Sequence, residues 1–461
     1  MALPAPQRKE PTMRNGSNGP SHHRSSAPPS PTGPGRRAFV GGALAVAGLT
    51  ATGCGPSVGL VPGNTRLREW NLFAGGDGLR LMEMHEEYRS NHPDVDLSAT
   101  TFGWGSPFYT KVAMGAAGGR GADVATAHLS RLESLAPGRL LDPIDPAILA
   151  EYGIDDTVVS PELWEECHFD GQLYAVPFDT HLLIHYYNLD VCRQAGVLDS
   201  DDRLINTSGV DEYLDMLREI QDVTGHMALS IDTANPWPNF WTLYRQQDGE
   251  LVFGEAGDGD FEMDDDKALI AMELLYRLSE EGLTPRHSAD ADTAANVSNG
   301  EAGLMIHGNW EIPTLEATGV EFSAGQFPDL YGNHRTRGDS HCYVFPHQRD
   351  RNPEVTRASV EYVAWMLKNS LAWAGGGHIP AYQPVVESAE YDDMDPQSEY
   401  REAAENVEFE PEGWFSGSAG RLQEEVNGTL STLHTGTNTP EQVLTDFKSR
   451  VRALLEIPSP V

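Results

Sequence analysis

Apolar and polar positions alternate in some stretches of the chain and recur at helical spacing in others, and the two patterns take turns. Residues 67–73 read as a strand, closed by Gly75-Gly76-Asp77-Gly78. A helix comes next, with Leu79, Met82 and Tyr88 among its apolar positions, stopped at Asn91-His92-Pro93. Residues 95–102 alternate as a second strand, 108–117 read as a helix ended by Gly118-Gly119, and 123–127 form a short third strand. This βαβ order predicts an α/β fold, with a mostly parallel sheet and helices on both faces. Further helices are expected over 211–223, striped by Leu214, Leu217 and Ile220, and over 265–281, 354–368 and 441–455. The run Asp264-Asp265-Asp266 suits a helix N-terminus, where negative charge is favoured. Some 400 residues of this kind exceed one comfortable core and imply about two lobes.

The first 53 positions show neither pattern. Residues 1–35 are rich in Pro, Ser, Gly and Asn and carry Arg8, Lys9, Arg14 and Arg24, so they cannot bury enough surface to offset chain entropy. Arg36-Arg37 then precede a mild apolar run over 41–49 and Ala51-Thr52-Gly53-Cys54. A charged segment, a short apolar run and small residues before a cleavage point make a signal peptide, and the paired arginines are similar to a twin-arginine export signal. The apolar run is too short to span a bilayer. The small residues before Cys54 resemble a lipobox, with Cys54 lipidated as the mature N-terminus. Ala51 stands where such motifs carry leucine, and Leu49 lies two positions earlier. The alternative is an ordinary cleaved signal with an incidental cysteine. Residues 54–64, polar and glycine-rich, read as a tether. The expected location is extracytoplasmic, at the outer face of the cytoplasmic membrane, held there by the lipid.

The six basic residues and one acid of the first 53 positions leave a net charge of −42 behind them, against −37 for the whole chain. Such acidity excludes a nucleic-acid partner, which needs clustered Lys and Arg, and disfavours polyanions; solubility is its simplest explanation. Beyond Cys54 stand Cys167, Cys192 and Cys342, an odd number. An exported chain is permitted a disulfide, and Cys167–Cys192, flanking one strand region, is the pair expected. No Cys/His grouping has zinc spacing, and His181 and His185, four apart in a strand-like segment, do not share a metal-binding face. No cofactor and no metal are expected.

In open α/β sheets ligands bind beyond the carboxyl ends of the strands, so the loops there carry the candidate chemistry. They are aromatic and polar: 75–78, 104–109, 128–131, 178–181, 235–241, 308–310 and 375–382. Flat aromatic faces with polar groups in the plane suit a pyranose, which has apolar C–H faces and a rim of hydroxyls. Covering about 100 Å² of a half-buried tryptophan contributes roughly 2 kcal/mol, and each hydrogen bond to a charged group about 1.5–3 kcal/mol. Two faces and a few such bonds reach about micromolar affinity after association costs.

Particular runs sharpen this. Gly76-Asp77-Gly78, Tyr109-Thr110-Lys111, Gly121-Ala122-Asp123-Val124 and His128 resemble the opening of bacterial extracellular solute-binding proteins. The run from Gly171 to Asp179 (GQLYAVPFD), then His185-Tyr186-Tyr187-Asn188 and Ala195-Gly196, is similar to a block at that family's crossing between lobes. Asn299-Gly300-Glu301-Ala302-Gly303-Leu304-Met305 with Gly308-Asn309-Trp310, and Gly376-Gly377-His378-Ile379-Pro380 with Val385, resemble two later blocks. Order and spacing hold over roughly 66–390, and the likeness is to the sugar-binding branch typified by maltose- and trehalose-type receptors of ATP-driven importers.

The resemblance implies a periplasmic-binding-protein-like clamshell: one lobe from 65–178 and 344–370, the other from 179–343 and 371–461, with crossovers near 178–181, 339–343 and 369–375. A neutral saccharide would sit between the lobes, and a membrane permease of an ATP-driven importer would be the partner of a monomeric receptor. The ligand residues expected are Asp77, Trp104, His128, Asp179, Trp237, Trp241, Trp310, Gly377 and His378. Each has a plainer alternative. Asp77 suits a helix N-cap, Asp179 a partner for an arginine, Trp104 the cleft rim, Trp237 and Trp241 lobe packing, and an exposed loop histidine often does nothing specific. His185 is read as structural. His128, Ser130 and Arg131 occupy the loop where relatives place an aromatic and a carboxylate, so the hydroxyl pattern differs here. The rival class is a secreted carbohydrate-active hydrolase, but no carboxylate pair can be placed at catalytic separation, and no GxSxG, HExxH or P-loop occurs. A receptor for another small polar solute, such as a polyol, is the alternative within the binding class.

Overall fold

The computed structural model describes residues 64–255 and 257–459. The expected signal peptide, Cys54 and nearly all of the tether lie outside the described residues. Among those residues no helix is long and apolar enough to cross a membrane.

Two sheets organise the chain into two lobes. The first has five strands in the order Val95–Thr101, Thr65–Asn71, Val124–His128, His341–Val344 and Ala175–Pro177. Its first three strands are parallel, linked by the helices Gly75–Asn91 and Ser106–Ala117, as the alternating pattern predicts. His341–Val344 runs antiparallel to its neighbours on both sides. The second sheet has seven strands built around Asp179–Asn188, which pairs antiparallel with Leu304–Gly308, Phe322–Gln326, Thr336–Asp339 and Ile379–Pro380. Both sheets are therefore mixed, which corrects the mostly parallel expectation. Strands that return from one sheet to the other arrive running backwards.

Asp179–Asn188 is buried at every position, and its side chains alternate between two layers. Leu183 and Tyr187 enter a large core with Leu217, Trp241 and Phe447, whereas Leu182, Ile184 and Tyr186 face a smaller one with Met305 and Ile312. The first sheet has its own core, from Leu67 through Phe178 and from Cys342 to Ala381. Local chemistry sets the helix ends. Asp264 accepts from the Lys267 N–H, Asn188 from that of Val191, and Gly196 closes its helix at φ 71°. The stripe Leu214, Leu217, Ile220 is buried as its spacing predicts, each leucine contributing about 1.5–3 kcal/mol.

Three features differ from expectation. Leu79 and Met82 are 63% and 60% exposed; Tyr88 is buried as expected, and Leu81, Met84 and His85 face the core with it. Helix phase is set by which side lies on the sheet, and a short apolar count does not determine it. The chain passes between the sheets at Phe178, at Ser340 and a third time before Ile379–Pro380; the segment 369–375, expected to make that crossing, is mostly the short helix Leu371–Ala374, and the strand follows it. Cys167, Cys192 and Cys342 are all buried free thiols. Cys167 and Cys192 belong to different cores, so the expected pair is separated by the fold.

Candidate functional site

A cleft of about 480 Å³ opens where the two sheets meet. One wall comes from the segment just beyond the first strand and the loop beyond the second: Leu72, Phe73, Ala74, Asp77 and Trp104. The other comes from Asp232, Asn235, Asn239, Asp290, His307 and Trp310. The floor carries His128, His181 and His341, with Arg337, Ser418 and Gln423 beside them.

Four expected residues line this space: Asp77, Trp104, His128 and Trp310. Asp77 sits in the first turn of its helix, which is capped by Ala74. Trp104 is 57% exposed, with its ring edge towards His128. Trp310 comes directly after the strand Leu304–Gly308 in a short 3₁₀ turn, edge-on to His181 and His307. The other expected residues are elsewhere. Trp237 and Trp241 are buried in the second lobe's core, stacked on each other at 5.4 Å, and the Trp241 Nε1–H donates to the Phe409 carbonyl. Their four-residue spacing puts both on the inner face of the helix Trp237–Arg245, while Pro238 and Asn239 meet the cleft. Gly377 adopts φ +101°, and a Cβ there would fall 1.8 Å from the Asn309 carbonyl oxygen, so it serves close packing. Asp179 and His378 are fully buried behind the floor.

Behind that floor lies a carboxylate with many donors. The Asp179 Oδ2 accepts from Trp373 Nε1 at 2.6 Å and His341 Nδ1 at 2.8 Å, and its Oδ1 from the His341 main-chain N–H at 2.9 Å and His181 Nδ1 at 3.3 Å. His378 Nδ1 is 3.2 Å from Oδ2, while its Nε2–H donates to Asp77 at 3.0 Å. The partners of Asp179 are thus histidines and a tryptophan, and the arginine of its plainer alternative is not among them. Burial alone would raise the Asp179 pKa, but His341 and His378 outweigh it and hold the carboxyl well below its usual range. Burial lowers His181 to about 4, with His341 adding to the effect and Asp179 opposing it. Burial also depresses His128, whose Nδ1 is bonded to the Tyr109 hydroxyl. Asp179, His181, His341 and His378 each offer one ligand atom, all within 4.8 Å of one another, and so could hold a metal ion.

A second network flanks the floor. Asp339 accepts from Ser130, from Ser418 at 2.6 Å and from the Ser340 N–H at 2.8 Å. Burial opposes its ionisation, yet His128, His181 and Arg337 bring it down to about 2. Arg337 is itself paired with buried Glu410 at 2.7 Å. His307, on the opposite wall, donates to Asp290 at 2.8 Å; burial disfavours its charge, but that bond together with the nearby Glu311 and Asp232 carboxylates raises its pKa. The cleft thus mixes fixed donors and acceptors with two accessible indoles. His185 lies apart, buried beside Tyr213 and held near pKa 3 by burial.

Sequence reasoning missed His181, His341, His307 and Arg337. His181 was legible, lying within the 178–181 loop singled out beyond a strand. His341 falls within the crossover expected at 339–343, whereas His307 and Arg337 give no local signal, since their neighbours in the cleft come from distant segments.

The model of the bacterial extracellular solute-binding proteins matches residues 83–397, more than half of the chain. The protein belongs to that family. This solute-binding protein is 25% identical over 248 residues to the lactose-binding protein of Rhizobium radiobacter, covering 51% of this chain and 54% of the relative. It is 25% identical over 221 residues to the maltodextrin-binding protein MdxE of Bacillus subtilis, covering 46% and 49%. The chain spans about half the length of the curated relatives it matches. In fold it is similar to the GacH receptor of Streptomyces glaucescens, with TM-score 0.71, 18% identity and coverage of 86% of this chain and 99% of that one. A maltose-bound MalE3 of T. maritima gives TM-score 0.71 at 15% identity, covering 85% and 100%. These likenesses establish the two-lobed fold.

Proposed function

We propose that this protein binds a neutral saccharide between its lobes and delivers it to an ATP-driven permease by closing around it. The lobes would be 65–178 with 344–370 and 179–343 with 371–461. Closure is expected because only a closed form lets both walls touch one ligand, so the ligand favours that form. Trp310 and Trp104 would cover sugar faces, while Asp77, Asn235, Gln423 and the floor histidines bond the hydroxyl rim. Asp179 and His378 would act from behind by fixing the floor.

The observation that carries the reading is the cleft itself, with indoles accessible on both walls and polar side chains converging between them. The relatives named for lactose and maltodextrin and the maltose-bound fold neighbour agree with it. The remaining parts extend the reading to the cell. Export through a twin-arginine signal, lipidation at Cys54, a monomeric receptor at the outer face of the membrane and no catalytic turnover complete it. Calorimetry against a panel of mono- and oligosaccharides tests it: about micromolar binding to at least one member is expected, weakened tenfold or more in Trp310→Ala. A panel without a binder overturns the saccharide assignment, and consumption of the sugar makes the protein an enzyme. Palmitate labelling that is lost in Cys54→Ala tests the anchor.

A further inference from the structure

We propose that Asp179, His181, His341 and His378 bind one divalent transition-metal ion of the zinc class, behind the cleft floor where the chain passes between the two sheets. The contacts have the size of a first coordination shell. A tetrahedral ion with bonds of about 2.0–2.1 Å holds its ligand atoms roughly 3.3 Å apart. The His181 Nδ1 lies 3.3 Å from Asp179 Oδ1, and the His341 and His378 Nδ1 atoms lie 2.8 and 3.2 Å from Oδ2. All four ligand atoms fall within 4.8 Å of one another, and an ion is admitted when the stacked His181 and His341 rings turn towards it.

His378 supplies the independent indication. Its Nε2–H donates to Asp77, which in a neutral imidazole leaves a lone pair on Nδ1. That Nδ1 is buried, makes no hydrogen bond, and sits 3.2 Å from an Asp179 oxygen. A neutral His378 therefore leaves a buried lone pair without a partner beside a carboxylate oxygen, and positive charge near the two, a second proton or a metal ion, offsets that cost. The surroundings suit the ion. Metal-bound histidines commonly donate their other N–H to a carboxylate, and metal-bound carboxylates are themselves hydrogen-bonded. Asp77 does the first for His378, and Trp373 Nε1 with the His341 main-chain N–H does the second for Asp179.

Imidazoles with one carboxylate, and no thiolate, select zinc, cobalt, nickel or copper over calcium and magnesium, which take oxygen shells. His181 and His341 line the cleft, which gives the ion its entrance. The ligands come from three segments, 179–181, 341 and 378, so a bound ion would tie these segments together.

The test uses the full chain, stripped with a chelator and titrated with Co²⁺ as the optical probe. Expected are one Co²⁺ per chain with the visible absorption of a four-coordinate site, displacement by Zn²⁺, and a raised melting temperature. His181→Gln, on the cleft floor, should lose the absorption. Asp77→Asn, which keeps all four ligands, should weaken Co²⁺ by about 10–100-fold. A folded parent chain that takes up no Co²⁺ overturns the proposal and leaves a doubly protonated His378 as the source of charge. Uptake unchanged in His181→Gln and Asp77→Asn overturns it as well, because the ion is then elsewhere. If Asp77→Asn melts early, His181→Gln alone decides. None of these readings involves a saccharide, so the saccharide assignment and this one fail separately.

Discussion

The indole of Trp310 occupies the space that a side chain on Gly308 would need: a Cβ built on that glycine would fall 2.1 Å from the ring. The glycine is therefore part of how the tryptophan is aimed, since an ordered strand end and a bare α-carbon together fix where the ring lies. Gly308→Ala should push the ring from its seat. Saccharide affinity is expected to fall about tenfold, with a folding loss of about 1–3 kcal/mol from overpacking. Calorimetry and thermal melts on the same preparation measure both; unchanged affinity would mean that Trp310 does not depend on this seat.

Trp237 and Trp241 make the opposite case, large aromatics whose role is to fill the second core. Trp241→Ala should destabilise folding by about 3–5 kcal/mol. The molecules that remain folded should bind ligand as the parent does. Denaturant unfolding with binding-site titration separates the two effects, and a binding loss without a stability loss would return these residues to the site.

Gly377 lies against the Asn309 carbonyl at a backbone conformation other residues rarely adopt. Gly377→Ala is expected to cost more than about 4 kcal/mol, because strain and a main-chain clash coincide. A melting temperature within a few degrees of the parent would contradict this.

Glu69 is buried in the first core, accepting from Asn71 and Thr126 and facing a His85 that burial holds near pKa 3. Arg89, Tyr343 and Tyr362 are the other titratable groups coupled to it. Burial raises its pKa from 4.5 to about 8, with Asn71 and Thr126 opposing. The folded state thus holds a proton that the unfolded state releases between those values. Stability from this group is fully present below pH 4.5 and declines by about 1.4 kcal/mol per unit as pH rises towards 8. Glu69→Gln should flatten that decline and stabilise the protein at about pH 8–9, as read from denaturant midpoints across pH.

Cys167, Cys192 and Cys342 are buried with thiol pKa values raised by loss of solvent. Alkylation of native protein should leave all three unmodified, and alkylation after unfolding without reductant should modify all three. A Cys167–Cys192 bridge found by peptide mapping would contradict this.

The sequence by itself determined the elements and the family. Strand alternation, the 214–217–220 stripe, the acids at 264–266 and the ordered glycine blocks are local patterns, and backbone geometry reads local patterns directly. It also marked Asp77, Trp104, His128 and Trp310, because residues just beyond strands of such sheets reach the crevice. Which side of a helix faces a core was beyond it: Leu79 faces out, Leu81 in, and the Trp237–Trp241 pair turns inward. Only the tertiary structure decided that Asp179, His181, His341 and His378 share one buried point. Their spacing in the chain carries no signal, since chain passages between the two sheets, up to 199 positions apart in sequence, are what bring the four side chains together.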